Sequence, residues 1–301
     1  MLARLQQIFS LLMGALALGW GLAWWDRAPA LALLGAAWWL APPWLSVAGL
    51  MVLTGRLNRG GDGLNTPAPR LGQLAAAAWA EAWACWWVFS LWQPWRSTAW
   101  PDHLPGQAGR RGVLLVHGYV CNRGLWRLWQ PALQARGHAV MAINLEPVFG
   151  SIDAYVPLIE RAVRRLTEAT GQPPVLVGHS MGGLAIRAWL RAVSPDGLQD
   201  DRVHRIITLG TPHHGTWLGR WGHTPNGQQM RLNSPWLRAL AAQEPAARYR
   251  RFVCWYSHCD DIVLPAATAT LPGADNRHHP ATGHVQLALD PDILARTLAE
   301  L

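Results

Sequence analysis

The 301-residue sequence predicts an α/β fold: a mostly parallel sheet covered by helices, with a lid or cap insertion, preceded by N-terminal transmembrane helices. Three observations lead there. The first hundred residues are apolar and hold most of the 20 tryptophans. From Gly112 onward, short apolar runs alternate with helical stretches, as in a parallel sheet. A serine framed by glycines, Ser180, stands between one such run and a helix.

Residues 8–25 form an unbroken apolar run, preceded by Arg4 and closed by Asp26 and Arg27. Residues 28–53 form a second, interrupted at Pro42 and Pro43, and residues 71–92 a third, interrupted by Glu81. A hydrocarbon core takes about 20 apolar helical residues, so the first run spans and the second spans with a kink. The first exceeds a usual signal-peptide core and a second follows at once, which reads as a retained anchor. Trp24, Trp25, Trp44, Trp92 and Trp95 lie toward the run ends, where an indole meets the interface. Glu81 is costly in hydrocarbon, so the third run is either a span or an interfacial helix. Arg56, Arg59 and Arg70 favour a cytoplasmic loop before it. Three spans then set the following domain outside and two leave it inside; three are favoured, giving a bacterial inner-membrane protein with its C-terminal domain in the periplasm rather than the cytoplasm. Prolines and glycines crowd residues 96–111, marking a linker between an anchor (1–95) and a globular domain (112–301).

The formal net charge of +8 comes entirely from scattered arginines, since the chain has no lysine. Without a basic run or an interleaved aromatic stripe, nucleic acid is not an expected partner; anionic lipid head groups are. Cys85, Cys121, Cys254 and Cys259 lack zinc-site spacing and are expected as free thiols, with a Cys254–Cys259 disulfide as the alternative. Nothing in the pattern sets an oligomeric state.

In the C-terminal part, residues 113–116, 139–143, 175–177, 206–209 and 252–256 read as buried strands. Ile152, Tyr155, Val156, Ile159, Val163 and Leu166 recur at helical period across residues 151–170, and residues 292–301 make a closing helix.

Chemistry concentrates at Gly178-His179-Ser180-Met181-Gly182, directly between a strand and a helix. That context makes Ser180 a nucleophile on a sharp, strained turn, where side chains at 178 and 182 would collide with neighbouring backbone. The helix that follows aims unpaired N–H groups and its positive dipole end at the place where an oxyanion forms. His117-Gly118-Tyr119 follows the first strand; the N–H of Tyr119, with that of Met181, makes the expected oxyanion hole. His117 is expected to be a packed histidine that orients this loop. Asp260 and Asp261 end the last strand, and either carboxylate suits an acid that orients an imidazole. His284, on a glycine-marked turn before the last helix, is the expected base; His278 and His279, its rivals, are expected to face solvent. His213 and His214 are read as packing residues, since no third ligand suggests a metal.

Together these segments resemble the bacterial lipase and esterase branch of the α/β-hydrolase superfamily (triacylglycerol lipase-like). The likeness rests on Val116-His117-Gly118-Tyr119, Val177 through Leu184, Thr208 through Thr216, Gln229-Met230 with Ser234-Pro235-Trp236-Leu237, Asp260 with Ile262-Val263, and Gly283-His284. It covers about residues 110–300 and implies the α/β-hydrolase fold, with an eight-stranded type of sheet or a reduced version of it. It also implies Asp260 as the acid, leaving Asp261 a solvated surface charge. The implied activity is serine carboxylic-ester hydrolysis by Ser180, His284 and Asp260 on a lipid or small ester, with no cofactor. Some such lipases hold calcium near the histidine loop, but no carboxylate cage is evident, so no metal is expected. Residues 217–249, rich in Trp217, Trp221, Met230, Trp236 and Leu237, are expected to form a lid. An acyltransferase or thioesterase using the same triad is the alternative enzyme. A non-catalytic membrane scaffold is the alternative of another class, disfavoured because serine, acid, base and oxyanion glycines occur together.

Overall fold

Two long apolar stretches and a parallel sheet dominate the computed structural model, which describes residues 1–40, 42–58, 68–105, 109–197 and 200–301. Arg59 and Gly106 lie outside the described residues.

Helix α1 spans Leu2–Trp24, α2 Pro29–Leu40, α3 Pro42–Leu57 and α4 Leu71–Cys85; α4 runs on through a π-helical turn, Trp86–Trp92, into α5, Gln93–Arg96. By length and composition, Leu2–Trp24 and Leu71–Arg96 suffice to cross a membrane. The expected kinked second span is covered by two helices of 12 and 16 residues, and residue 41 between them lies outside the described residues. Proline lacks an N–H and is welcome at the start of a helix, where Pro42 stands in α3.

Both ends of the first 58 residues rest on later parts of the chain. At one end Gln6 Nε2 donates to Gln93 Oε1 (2.8 Å) and Gln7 Nε2 to the Pro94 carbonyl (2.6 Å), while the Met1 amino group pairs with Glu146 (3.0 Å). At the other, Asn58 Nδ2 donates to the His258 carbonyl (2.8 Å) and its Oδ1 accepts from Ala266 N–H (3.0 Å). Helix α4 lies along the globular part: Ala84, and Val88 beyond it, join the core under the sheet, and Val47, Met51, Leu74, Ala77 and Ala82 pack with Cys259. Glu81, expected to meet either hydrocarbon or the interface, is 1% exposed and buried against protein.

Strands β1 (Val113–Val116), β2 (Val140–Ile143), β3 (Val175–His179), β4 (Arg205–Leu209), β5 (Phe252–Tyr256) and β6 (Asp275–His278) form one six-stranded sheet in the order β2-β1-β3-β4-β5-β6. Every pairing is parallel. The intervening helices are α6 (Trp129–Gln134), α7 (Val156–Thr170), α8 (Met181–Val193), α9 (Pro225–Gln229), α10 (Pro235–Ala242) and α11 (Pro291–Ala299). Leu166, Leu184, Ile186 and Trp189 of α7 and α8 fill the core on one face, and Trp126, Trp129, Leu133 and Ile293 fill the other. A strand covered on both faces has no polar side to show, hence the unbroken Val and Leu of β1 and of the first three residues of β3. Strand β6 breaks that rule: Asp275-Asn276-Arg277-His278 is a polar edge strand, whose Arg277 pairs with Asp275 and Glu300. The sheet is thus the reduced version of the eight-stranded type.

Candidate active site

Ser180 stands at the junction of β3 and α8 with φ 54° and ψ −128°, a backbone that persists only where surroundings enforce it. The glycines around it are steric requirements. A Cβ on Gly178 would lie 2.7 Å from Gly183 N in α8, and one on Gly182 would be driven into the carbonyls of Val116 and His117 at the end of β1. Ser180 N–H donates to Leu209 O and Thr211 Oγ1 to Ser180 O, both at 2.9 Å, so the turn is tied to β4 and the loop after it.

The loop after β1 closes on this turn, with Gly118 so near that a Cβ there would lie 2.7 Å from Ser180 Cβ. Among the described residues, neither Tyr119 N–H nor Met181 N–H donates to a protein acceptor. His117 is buried; its Nε2 accepts from Leu145 N–H (3.0 Å), which obliges Nδ1 to carry the proton and donate to Gly118 O (2.9 Å). Burial pushes this imidazole down to about 4, so it is a neutral strut. The next residues hold a feature that motif reading passed over. Val120 adopts φ 52°, a strained backbone for a β-branched side chain.

His284 is drawn in from the far end of the chain. Its Nδ1 donates to Asp260 Oδ2 (2.9 Å), and Asp260 Oδ1 accepts from Ile262 N–H and Val263 N–H, each at 2.8 Å. The His284 ring lies 4.7 Å from that of His179, the residue before Ser180, and His179 Nε2 donates to the His284 carbonyl (3.0 Å). Burial holds His179 down to about 3, so it too is neutral. Among the described residues, Ser180 Oγ makes no hydrogen bond; contacts of this kind often tighten only around substrate. Burial alone would lower the affinity of His284 for a proton. The charge and hydrogen bond of Asp260 outweigh it, with Glu81 and Asp261 adding to them, and raise its pKa above the ordinary imidazole value.

Asp261 corrects one expectation. It is not a solvated surface charge but is 2% exposed, with Oδ1 accepting from His284 N–H (3.2 Å). Burial, and then the neighbouring charges of Glu81 and Asp260, lift it well above the usual carboxylate range. Successive side chains diverge, so Asp260 reaches the imidazole while Asp261 reaches the main chain behind it. Nor are His278 and His279 solvent-facing. Both are half-buried, His278 in β6 and His279 with Nδ1 2.7 Å from Thr282 Oγ1.

Glu81 enters the same loop from α4. Oε1 accepts from Val285 N–H (2.7 Å) and Oε2 from Gln286 N–H (2.8 Å). Gly283 is glycine for this reason, since a Cβ there would strike the Glu81 carboxylate. A carboxylate in the middle of an apolar run was the only signal for this contact. On the other side, Arg187 of α8 pairs with Glu244 beyond α10 (2.5 Å), both side chains almost fully buried, and donates to His213 O (2.9 Å). Met230, Leu237 and Tyr249 of the 217–249 insertion join the main core, while Tyr119 Oη meets Thr224 Oγ1 at 3.2 Å. His213 packs as read from the sequence, with Nε2 3.2 Å from Thr208 Oγ1.

All four cysteines are free thiols. Among the described residues His279, Asp290 and Asp292 bring potential metal ligands together, but Asp290 Oδ1 already caps α11 by accepting from Asp292 and Ile293 N–H.

Residues 112–250 match the family described as the alpha/beta hydrolase fold. Among solved structures, the chain is similar to Aspergillus fumigatus lipase B, at 18% identity and a TM-score of 0.55, over 65% of this chain and 54% of that one. It is also similar to a Bacillus licheniformis lipase in its mature form, at 17% identity and a TM-score of 0.55, over 66% of this chain and 94% of that one. It thus spans about half the length of the fungal enzyme. No curated protein matches the sequence. With its parallel sheet and serine elbow, the chain has the α/β-hydrolase fold. Lipases are among its structural neighbours.

Proposed function

We propose that this protein is a membrane-anchored serine carboxylic-ester hydrolase of the lipase and esterase type. One observation carries the reading: a strained serine between β3 and α8 shares a site with an imidazole whose Nδ1 is tied to Asp260 at 2.9 Å. His284 takes the proton of Ser180 as Oγ attacks the ester carbonyl, and Asp260 stabilises the imidazolium. The N–H groups of Tyr119 and Met181 hold the oxyanion, each contributing about 3 kcal/mol. The carbonyl–oxygen bond to the alcohol breaks as His284 returns the proton to the leaving group. Water then repeats the attack on the acyl-enzyme, releasing the acid and restoring Ser180. No cofactor takes part.

Residues 1–95 are the anchor, 96–111 the linker and 112–301 the hydrolase domain, with 217–249 as its cap or lid. Three crossings, the count expected from hydropathy, would set the domain in the periplasm. The return of residues 1–58 to the domain favours two instead, α1 outward and the broken α2–α3 pair back, with α4 along the membrane surface. Trp79, Trp83, Trp87 and Trp95, all exposed, suit that interface. Arg4, Arg56 and Arg70 then share the domain's side, which the positive-inside rule makes cytoplasmic. Protease treatment of spheroplasts tests the side: digestion of the C-terminal domain would restore the periplasmic assignment.

The activity is tested with a fluorophosphonate probe and p-nitrophenyl esters. Wild-type protein labels and turns over; Ser180→Ala does neither while keeping its circular dichroism. Near-normal turnover by Ser180→Ala would overturn the reading.

A further inference from the structure

A groove of about 770 Å³ opens between α1, the π-helical turn and the loop after β1. Its walls include Phe9, Met13, Trp86, Phe89, Val120 and Phe149. That volume falls within the ~300–1,000 Å³ of small-molecule sites. Three features tie it to the site. Val120 directly follows Tyr119, carries the strained φ of 52° and lines the groove. Cys85, on another wall, places Sγ 3.5 Å from Glu81 Oε1, and Glu81 holds the His284 loop. Between them runs the π-helical turn, a widened winding that recurs at functional sites. The groove is thus lined by the residue that follows the oxyanion loop's Tyr119 and by a contact of the carboxylate that holds the histidine loop. Its outer rim is α1, where Ile8, Leu11 and Leu12 are exposed apolar side chains suited to hydrocarbon.

We propose that this groove, built by the N-terminal helices and not by the 217–249 insertion, seats the acyl chain of a membrane lipid ester that enters sideways from the bilayer. The proposal rests on the hydrolase reading of Ser180 and specifies its substrate class. The N-terminal segment is then part of the substrate site as well as an anchor.

The test uses the full chain in phospholipid vesicles, with p-nitrophenyl palmitate and butyrate as paired substrates. Gly14→Phe and Ser90→Phe fill the groove; a Cβ at Gly14 meets nothing within 4 Å, so the new ring has room to enter. The palmitate-to-butyrate ratio of kcat/KM should fall about tenfold or more, the effect of unseating about two methylenes. A ratio within about twofold of wild type in both variants overturns the groove assignment. A second measurement does not depend on how the variants fold. A hexadecyl fluorophosphonate with a diazirine at its tail is reacted with the wild-type protein and irradiated. Cross-links to residues 2–24 or 85–92 are expected, and cross-links to residues 217–249 overturn the proposal. If the wild type neither hydrolyses butyrate nor labels, the hydrolase reading itself has failed, and the acyl site falls with it.

Discussion

Replacing Glu81 with glutamine tests the carboxylate contact by which α4 holds the histidine loop. Glu81 is 1% exposed, and its two oxygens accept from Val285 N–H at 2.7 Å and Gln286 N–H at 2.8 Å. Glutamine keeps one acceptor and turns an amide group toward the other N–H, orphaning a buried donor at a cost of about 1–3 kcal/mol. Taken up by displacement of the His284 loop, that cost lowers kcat/KM roughly 5- to 150-fold. The substitution also removes a negative charge that raises the pKa of His284, so the acid limb of the pH profile moves to lower pH. A purely structural role would reduce the amount of folded protein without moving that limb. The assay is kcat/KM for p-nitrophenyl butyrate against pH, with active sites counted by fluorophosphonate titration. Gly283→Ala, whose Cβ meets the same carboxylate, should give the same fall in rate. Wild-type kcat/KM per active site, with an unmoved acid limb in Glu81→Gln, would refute the reasoning.

Three further outcomes are expected. His284 must be neutral to accept the serine proton and its pKa is raised, so wild-type kcat/KM falls as pH drops through a value above 6.5; a limb at or below 6.5 contradicts this. Glu244→Ala leaves Arg187 charged and unpaired, 1% exposed, and should cost about 3–5 kcal/mol, read as a lower denaturation midpoint of the detergent-solubilised protein. An unchanged midpoint would show that water reaches the pair. Gly182→Ala drives a methyl group into the carbonyls that end β1, so fluorophosphonate labelling of Ser180 should be lost; labelling at the wild-type rate would contradict the close packing of the elbow.

The legible parts of the chain are those whose cause is local. Strands β1, β3 and β5 stand out because a strand buried on both faces is apolar throughout, and breakers bound it. Ser180 was legible because a strand, a glycine-framed turn and a helix are consecutive, and the strain they impose lies within a few residues. Strand β6 was not, because an edge strand is excused from apolarity and Asp275–His278 reads as loop. The second apolar run was partly legible: Pro42 showed where a helix would start, and α3 starts there.

By itself, the sequence determined the α/β layering, the serine elbow and the apolar N-terminal third, since hydrophobic period and turn chemistry act between near neighbours. Only the tertiary structure decided which of two adjacent aspartates meets His284, and that Glu81, 204 residues away from Val285, holds the loop between them. It alone decided that Arg187 is answered by Glu244 across 57 residues, and that α1 and the π-helical turn wall a groove with Val120 of the loop after β1. Such contacts are selected by packing after distant segments have met, and no local pattern records which buried charge will find which partner.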